Sequence, residues 1–326
     1  MRSILSLTLF SVLAAGTLSA QSVSGVQNFI HSVENLDEAV TFYKTVFGLE
    51  LSAPLAPPNG NPMVLNLVNA KGAKFRAAIF KIPGAAFGLE LTEFTGIARK
   101  EGEPNHWDPG AADLALRVRD VDAAFNALKK AGAQIISRHG QPVKIGPPTG
   151  NIRSVFARDP DGYILEVIQA EPIPADAPAG LVVGANMGLT VGDTEKTLAF
   201  YRDLLGFDIK AGANFMGNPA ILEMVGAHAG EVKQSAGVVP GTNAKIEFYE
   251  FKGVERKPFR LRIPDPGSVA ISLQVNDVDG MVKKLKAAGV TIITTGGAAI
   301  QMGPMSKNVF VEDPNGVAVE LFQRAQ

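Results

Sequence analysis

The apolar and polar positions of this chain change period in a repeating order: a short run of period two, a stretch with apolar residues three and four apart, then further runs of period two. Phe29 to Val33 reads as a strand. Asn35 then reads as a helix cap, followed by Leu36, Ala39, Val40, Tyr43 and Val46 on one helical face. The order recurs in the strand Leu114 to Val118, the cap Asp120, and the stripe Val121, Ala124, Phe125 and Leu128 before Gly132; Asp193 and Asp277 open two further helices. The runs Met63 to Val68, Phe75 to Ile82, Gly88 to Phe94 and Arg153 to Ile168 are rich in strand formers. The unit is βαβββ, present four times, and several strands after a single helix predict an α+β fold with mainly antiparallel, concave sheets.

Comparing the chain with itself shows that these units come as a duplicated pair. Thr41 to Leu51 recurs as Ala199 to Ile209 at an offset of 158, and Asp159-Pro160-Asp161-Gly162 recurs as Asp313-Pro314-Asn315-Gly316 at an offset of 154. Two domains follow, at 24–169 and 181–324, joined by the proline-rich linker 170–180. Residues 1–20 read differently: Arg2, an apolar run from Ile4 to Ala15, then small residues up to Ala20, the pattern of a secretory signal peptide. An exported protein, periplasmic or extracellular, is the expectation, with no membrane attachment after cleavage.

Composition narrows the chemistry. With 31 basic and 32 acidic residues, a net charge of -1 and no polybasic cluster, the chain lacks the electrostatic footprint of a nucleic-acid or anionic-membrane partner. The absence of cysteine excludes disulfides, thiolate catalysis and zinc–thiolate sites.

Alternation also assigns strand faces. Opposite the helix-facing residues lie Asn28, Glu90, Asp113 and Glu166 in the first copy. The second copy supplies Asn186, Glu247 and Glu320 but has Ala270 where Asp113 stands. With the halves of each copy as partners, the first four residues share one cleft. Carboxylates converging on a concave sheet call for a divalent cation, and an all-oxygen set suits Mg²⁺, Mn²⁺ or Ca²⁺, with Fe²⁺ and Zn²⁺ less well served and Ni²⁺ a further candidate. The second copy is expected to bind metal more weakly.

The strand and helix start ending in Phe42-Tyr43 and Gly48, the strand Gly88-Leu89-Glu90-Leu91-Thr92, and Asp159-Pro160-Asp161-Gly162-Tyr163-Ile164-Leu165-Glu166 together resemble the vicinal oxygen chelate superfamily of glyoxalase I, extradiol dioxygenases and bleomycin-resistance proteins. The resemblance covers almost the whole chain after residue 20, twice. It implies metal ligands at Asn28, Glu90, Asp113 and Glu166, and polarisation of adjacent substrate oxygens by the ion. It further implies proton transfer by Glu166 as base with Glu90 as its counterpart, in a lyase, isomerase or epimerase acting on a small molecule. No histidine occupies a ligand position, which argues against dioxygenase chemistry, and export argues against a glutathione substrate. The alternative is a protein that binds or sequesters a small molecule without turnover.

Other residues carry plainer expectations. Asp120, Asp193 and Asp277 are helix caps, the Asp-Pro motifs are turns, and Phe42-Tyr43 and Phe200-Tyr201 pack helices on sheets. His31 alternates with Phe29 and Val33 on the helix side, away from the cleft. Glu90 and Glu166 have a competing structural reading as partners of a nearby cation such as Arg117.

Overall fold

The computed structural model describes residues 22–146 and 151–325; the expected leader lies outside the described residues. The first module consists of β1 (Val23–Val33), α1 (Leu36–Phe47), β2 (Glu50–Leu51), α2 (Pro62–Leu67), β3 (Lys74–Lys81) and β4 (Gly88–Thr95). The second runs through β5 (Ala112–Val118), α3 (Val121–Lys130), β6 (Val143–Ile145), β7 (Asn151–Arg158) and β8 (Ile164–Glu171). The third comprises β9 (Val182–Thr190), α4 (Thr194–Leu198) continuing into a π-helical segment (Ala199–Leu204), β10 (Asp208–Lys210), α5 (Pro219–Met224), β11 (Glu231–Val238) and β12 (Lys245–Lys252). The fourth has β13 (Val269–Val275), α6 (Val278–Ala287), β14 (Ile300–Met302), β15 (Ser306–Glu312) and β16 (Ala318–Arg324).

Each main helix starts where its cap sits. The Asn35 side chain accepts from the backbone N–H groups of Asp37 and Glu38, and Asp120, Asp193 and Asp277 accept from Ala123, Lys196 and Gly280. Such a cap is worth about 1 kcal/mol. One run departs from expectation: Met63 to Val68 is helical, not extended. Asn61 accepts from the Met63 N–H and Pro62 stands in the first turn, where its missing N–H costs nothing, so two local signals override the apolar run. Asn218 and Pro219 start α5 in the same way.

The sheets join different partners from those expected. The first has the order β14-β15-β16-β13-β1-β4-β3-β2 and the second β10-β11-β12-β9-β5-β8-β7-β6. Module 1 therefore pairs with module 4, and module 2 with module 3, through the antiparallel contacts β1–β13 and β5–β9. Within each module the first and last strands are parallel. Each concave face is built from both copies of the repeat; neither cleft belongs to one copy. The cleft of the first sheet is called A and that of the second B.

The four main helices cover the opposite faces. Their apolar stripes, with Phe29, Leu89, Leu116, Leu165, Met187, Phe248 and Leu273 from the strands, form one core drawn from all four modules. Where the sheets meet, His31 Nε2 of β1 lies 3.1 Å from Asp159 Oδ2, which also accepts from the Tyr43 hydroxyl at 2.9 Å. His31 is thus a buried helix-side residue, as its alternation requires, and the register irregularity of β1 ends before it. Across the molecule, Leu189 replaces His31 and Asp313 accepts from the Tyr201 hydroxyl at 3.3 Å.

Short helices fasten the rims. In cleft A, Thr294 Oγ donates to Leu67 O and Thr295 N–H to Asn66 O; in cleft B, Ser137 Oγ donates to Met224 O and Arg138 N–H to Glu223 O. Among the described residues no helix is long and apolar enough to cross a membrane.

Because both clefts need both copies, the fragment 22–180 leaves the open edges of β1 and β5 unpaired. We expect it not to run as a folded monomer in size-exclusion chromatography, but to aggregate or to associate through those edges. A monomer with a cooperative melt would contradict the cross-copy pairing.

Candidate active site

The four residues expected in one cleft are divided between two. Asn28 and Glu90 lie in cleft A with Glu320 and Ala270; Asp113 and Glu166 lie in cleft B with Glu247 and Asn186. The alternation assigned the faces, but the partner module was wrong. The counterpart of Glu166 across its site is therefore Glu247, not Glu90.

In cleft B, β5 and β9 form the centre, while β8 and β12 bring Glu166 and Glu247 in from opposite sides. Both glutamates line a cavity of about 250 Å³ whose walls include Ile145, Phe156, Met224 and Phe251. Ser154 Oγ donates to Glu166 Oε1 at 2.7 Å; the Tyr249 hydroxyl donates to Glu247 Oε2 at 2.7 Å and Gln234 Nε2 to Oε1 at 3.1 Å. Among the described residues Ser154 serves Glu166 and Asn28 serves Glu90, in place of the Arg117 considered for both. Burial, then the nearby charges of Asp113 and Glu247, push the Glu166 carboxyl up to about 8 against the lowering effect of Ser154. Glu247 is raised as well, chiefly by burial, and the Tyr249 hydroxyl is held well above its ordinary range by burial and these carboxylates.

Asp113 lies at the floor, almost wholly buried. His106 Nε2 sits 3.1 Å from its Oδ1, while Oδ2 is buried without a hydrogen-bond partner among the described residues. The carboxylate fits because its cross-strand neighbour is Gly188: a Cβ there would stand 2.1 Å from Asp113 Oδ1. In cleft A the same strand pair carries Ile30 opposite Ala270, so the large and small side chains have changed sides. His106 and Tyr249 also have apolar or smaller counterparts there, Ile263 and Thr92. His106 was not singled out as a site residue because it lies on the connection before β5, outside any alternation. Its repeat position, Ile263, was the available signal that the clefts differ.

Cleft A retains a simpler polar set. Asn28 Nδ2 donates to Glu90 Oε2 at 2.8 Å, and Glu320 accepts from Ser272 and Asn308. Burial and the charge of Glu320 push the Glu90 carboxyl up to about 7, and burial raises Glu320.

Cleft B carries the donor types that a divalent ion takes, although its three carboxylates are not drawn within 4.8 Å of one another. Asp113, Glu166 and Glu247 offer carboxylate oxygens, Asn186 an amide oxygen, and Asp113 Oδ2 is an acceptor with nothing to accept from. A tighter grouping occurs elsewhere: His31, Asp159 and Asp161 can offer ligand atoms all within 4.8 Å of one another, between the sheets. Protein donors already serve that group, since Asp159 accepts from Tyr43 and from the N–H groups of Asp161 and Tyr163, and Asp161 from Glu34 N–H.

The model of the Glyoxalase/Bleomycin resistance protein/Dioxygenase superfamily matches residues 26–167 and 184–321, and the chain belongs to that family. A 2-epi-5-epi-valiolone epimerase from Actinomyces sp. is 34% identical over 157 residues, 47% of this chain and 81% of that protein. A lactoylglutathione lyase from Oryza sativa subsp. japonica is 27% identical over 184 residues, 55% of this chain and 53% of that protein, so the match spans about half its length. Glyoxalase I from Zea mays shares the fold, with a TM-score of 0.55 at 22% identity over 92% of each chain.

The raised glutamate sets the sign of a pH effect. Folded Glu166 keeps its proton to about pH 8, whereas an unfolded glutamate loses it near pH 4.5, so the folded state binds more protons between those values. Stability from this group is complete below the lower value and declines as pH rises through the upper one. The metal-free chain should show a falling Tm from about pH 5 to pH 8, added divalent metal should restore it, and Glu166→Gln should flatten the slope. Gly188→Ala, which collides with Asp113, should weaken metal binding at least about tenfold by isothermal titration.

Proposed function

We propose that cleft B is a divalent-metal site that moves a proton on carbon in a small substrate with adjacent oxygens, as a lyase, isomerase or epimerase. The observation that carries this reading is the pair Glu166 and Glu247, both with raised pKa, facing one cavity from opposite sides. A bound ion would supply Lewis-acid polarisation of the substrate oxygens, acidifying the neighbouring C–H. Asp113, Glu166, Glu247 and Asn186 are the residues that would hold it.

The chain supplies the proton chemistry. Glu166, facing the cavity beside apolar walls, takes or returns a proton from the β8 side. Across the cavity, Glu247 and the Tyr249 hydroxyl that donates to it can deliver one from the β12 side, the arrangement that inversion at a carbon centre requires. The apolar walls keep water from competing for the exchanged proton.

The lining also speaks to the substrate. No lysine or arginine lines this cavity among the described residues, so an anionic tail would be buried without a partner. A neutral, hydroxylated carbonyl compound fits best, in keeping with the similarity to an epimerase named for valiolone. The sequence pattern of residues 1–20 supports placing this activity outside the cytoplasm.

A second reading, binding without turnover, is favoured by one observation: Ser154, Tyr249, Gln234 and His106 already give each carboxylate a partner within the chain. Elemental analysis of the chain from residue 21 onward separates the two. We expect about one divalent ion per chain, retained in Glu90→Gln and lost in Asp113→Ala. Turnover in a substrate screen should fall at least about a hundredfold in Glu166→Gln. A chain that takes up none of Mg²⁺, Mn²⁺, Fe²⁺, Ni²⁺ or Zn²⁺ would leave the binding reading standing alone.

A further inference from the structure

Cleft A differs from cleft B in ways that suit another ligand. At the floor, Ala270 and Ala318 stand where cleft B has Asp113 and Ile164, and Ile263 replaces His106. These residues, with Ile30, Phe94 and Phe310, form an apolar cluster separate from the main core. A cavity of about 620 Å³ opens onto this floor at Ile263 and Ala318.

The rim of the same cavity is basic. Arg99 and Lys100 come from one connecting loop, Arg260 and Arg262 from the other. Arg99 and Lys100 recur in cleft B as Arg256 and Lys257, but where cleft A has Arg260, Leu261 and Arg262, cleft B has Glu103, Pro104 and Asn105, so the rim of cleft A carries two further arginines. Arg99 pairs with Glu34 at 2.7 Å, Arg260 with Glu312 at 2.8 Å and Arg262 with Asp265 at 2.6 Å. Lys100 is exposed and has no ion-pair partner among the described residues, leaving four cations against three carboxylates. Arginines at a half-exposed rim can share their donors with an incoming anion without losing their present partners.

We propose that cleft A is a second, metal-free binding site for an amphiphilic carboxylate, its head on the rim formed by Lys100 and Arg260 and its hydrocarbon on the apolar lining at Ile263, Ile293 and Ala318. Charge at the mouth steers the anion in, and the apolar floor supplies the larger part of the affinity by removing the tail from water. Neither glutamate of this cleft lines that cavity: Glu90 accepts from Asn28, and Glu320 from Ser272 and Asn308. The site is independent of the chemistry proposed for cleft B.

The test uses decanoate as the probe, with 1-decanol and decyltrimethylammonium as charge controls, in isothermal titration against the chain from residue 21 onward. The chain has a single tryptophan, Trp107, which packs against the apolar wall of cleft B and reports occupancy there. Expected is one decanoate per chain with Trp107 fluorescence unchanged, at least tenfold weaker binding of both controls, and at least tenfold loss in the double variant Lys100→Ala, Arg260→Ala. Both side chains are exposed, so this variant should fold. Ala318→Phe, which fills the floor, should abolish binding, while Glu166→Gln should leave it unchanged. The proposal is overturned by no binding, by equal binding of decanol that the double variant does not weaken, or by binding that shifts Trp107 and is insensitive to Ala318→Phe.

Discussion

The pairing of first strands across the repeat is the constraint on which the rest of the structure depends. In each module the first strand gives one edge to the last strand, in parallel, and leaves the other edge open. Four such edges carry backbone groups that must find partners, and they do so in two antiparallel pairs, β1 with β13 and β5 with β9. Each pairing converts two four-stranded layers into one eight-stranded concave sheet, and each therefore creates a cleft. The helices, which can cover only one face, pack together into a core shared by all four modules. What remains uncovered is the concave side, and every charged residue on it must be satisfied there.

That requirement is met differently in the two sheets. In cleft B the central strand pair carries Asp113 over Gly188, with His106 on the carboxylate and Tyr249 on Glu247. In cleft A the equivalent pair carries Ala270 beside Ile30, and the positions of His106 and Tyr249 hold Ile263 and Thr92. The exchange keeps the space between the strands filled while moving polarity from one site to the other. A buried carboxylate is tolerable only with donors or an ion about it, so the substitutions had to travel together. One cleft thereby gathers hydrogen-bonded acidic groups, while the other has an apolar floor near basic side chains.

Much of this was legible along the chain. The caps Asn35, Asp120, Asp193 and Asp277, the βαβββ order and the faces of Glu90, Glu166, Glu247 and Glu320 depend on contacts within a few residues, and period-two and period-3.6 patterns record them directly. The helix α2 was missed because Leu65, Leu67 and Val68 read as a strand unless Asn61 and Pro62 are weighed first. His106 was passed over because a connecting loop has no periodicity to assign it a face, and only the packed cleft brings its ring to Asp113.

The sequence by itself determined the modules, their duplication, the side of each strand that looks into a cleft, and the acidic residues placed there. Only the tertiary structure decided which modules share a sheet, and hence that Asp113 and Glu166 meet Glu247 while Asn28 and Glu90 meet Glu320. Alternation is a local property, set by the pleat of a single strand. The choice of partner rests on backbone hydrogen bonds between strands more than sixty residues apart, which no spacing along the chain records.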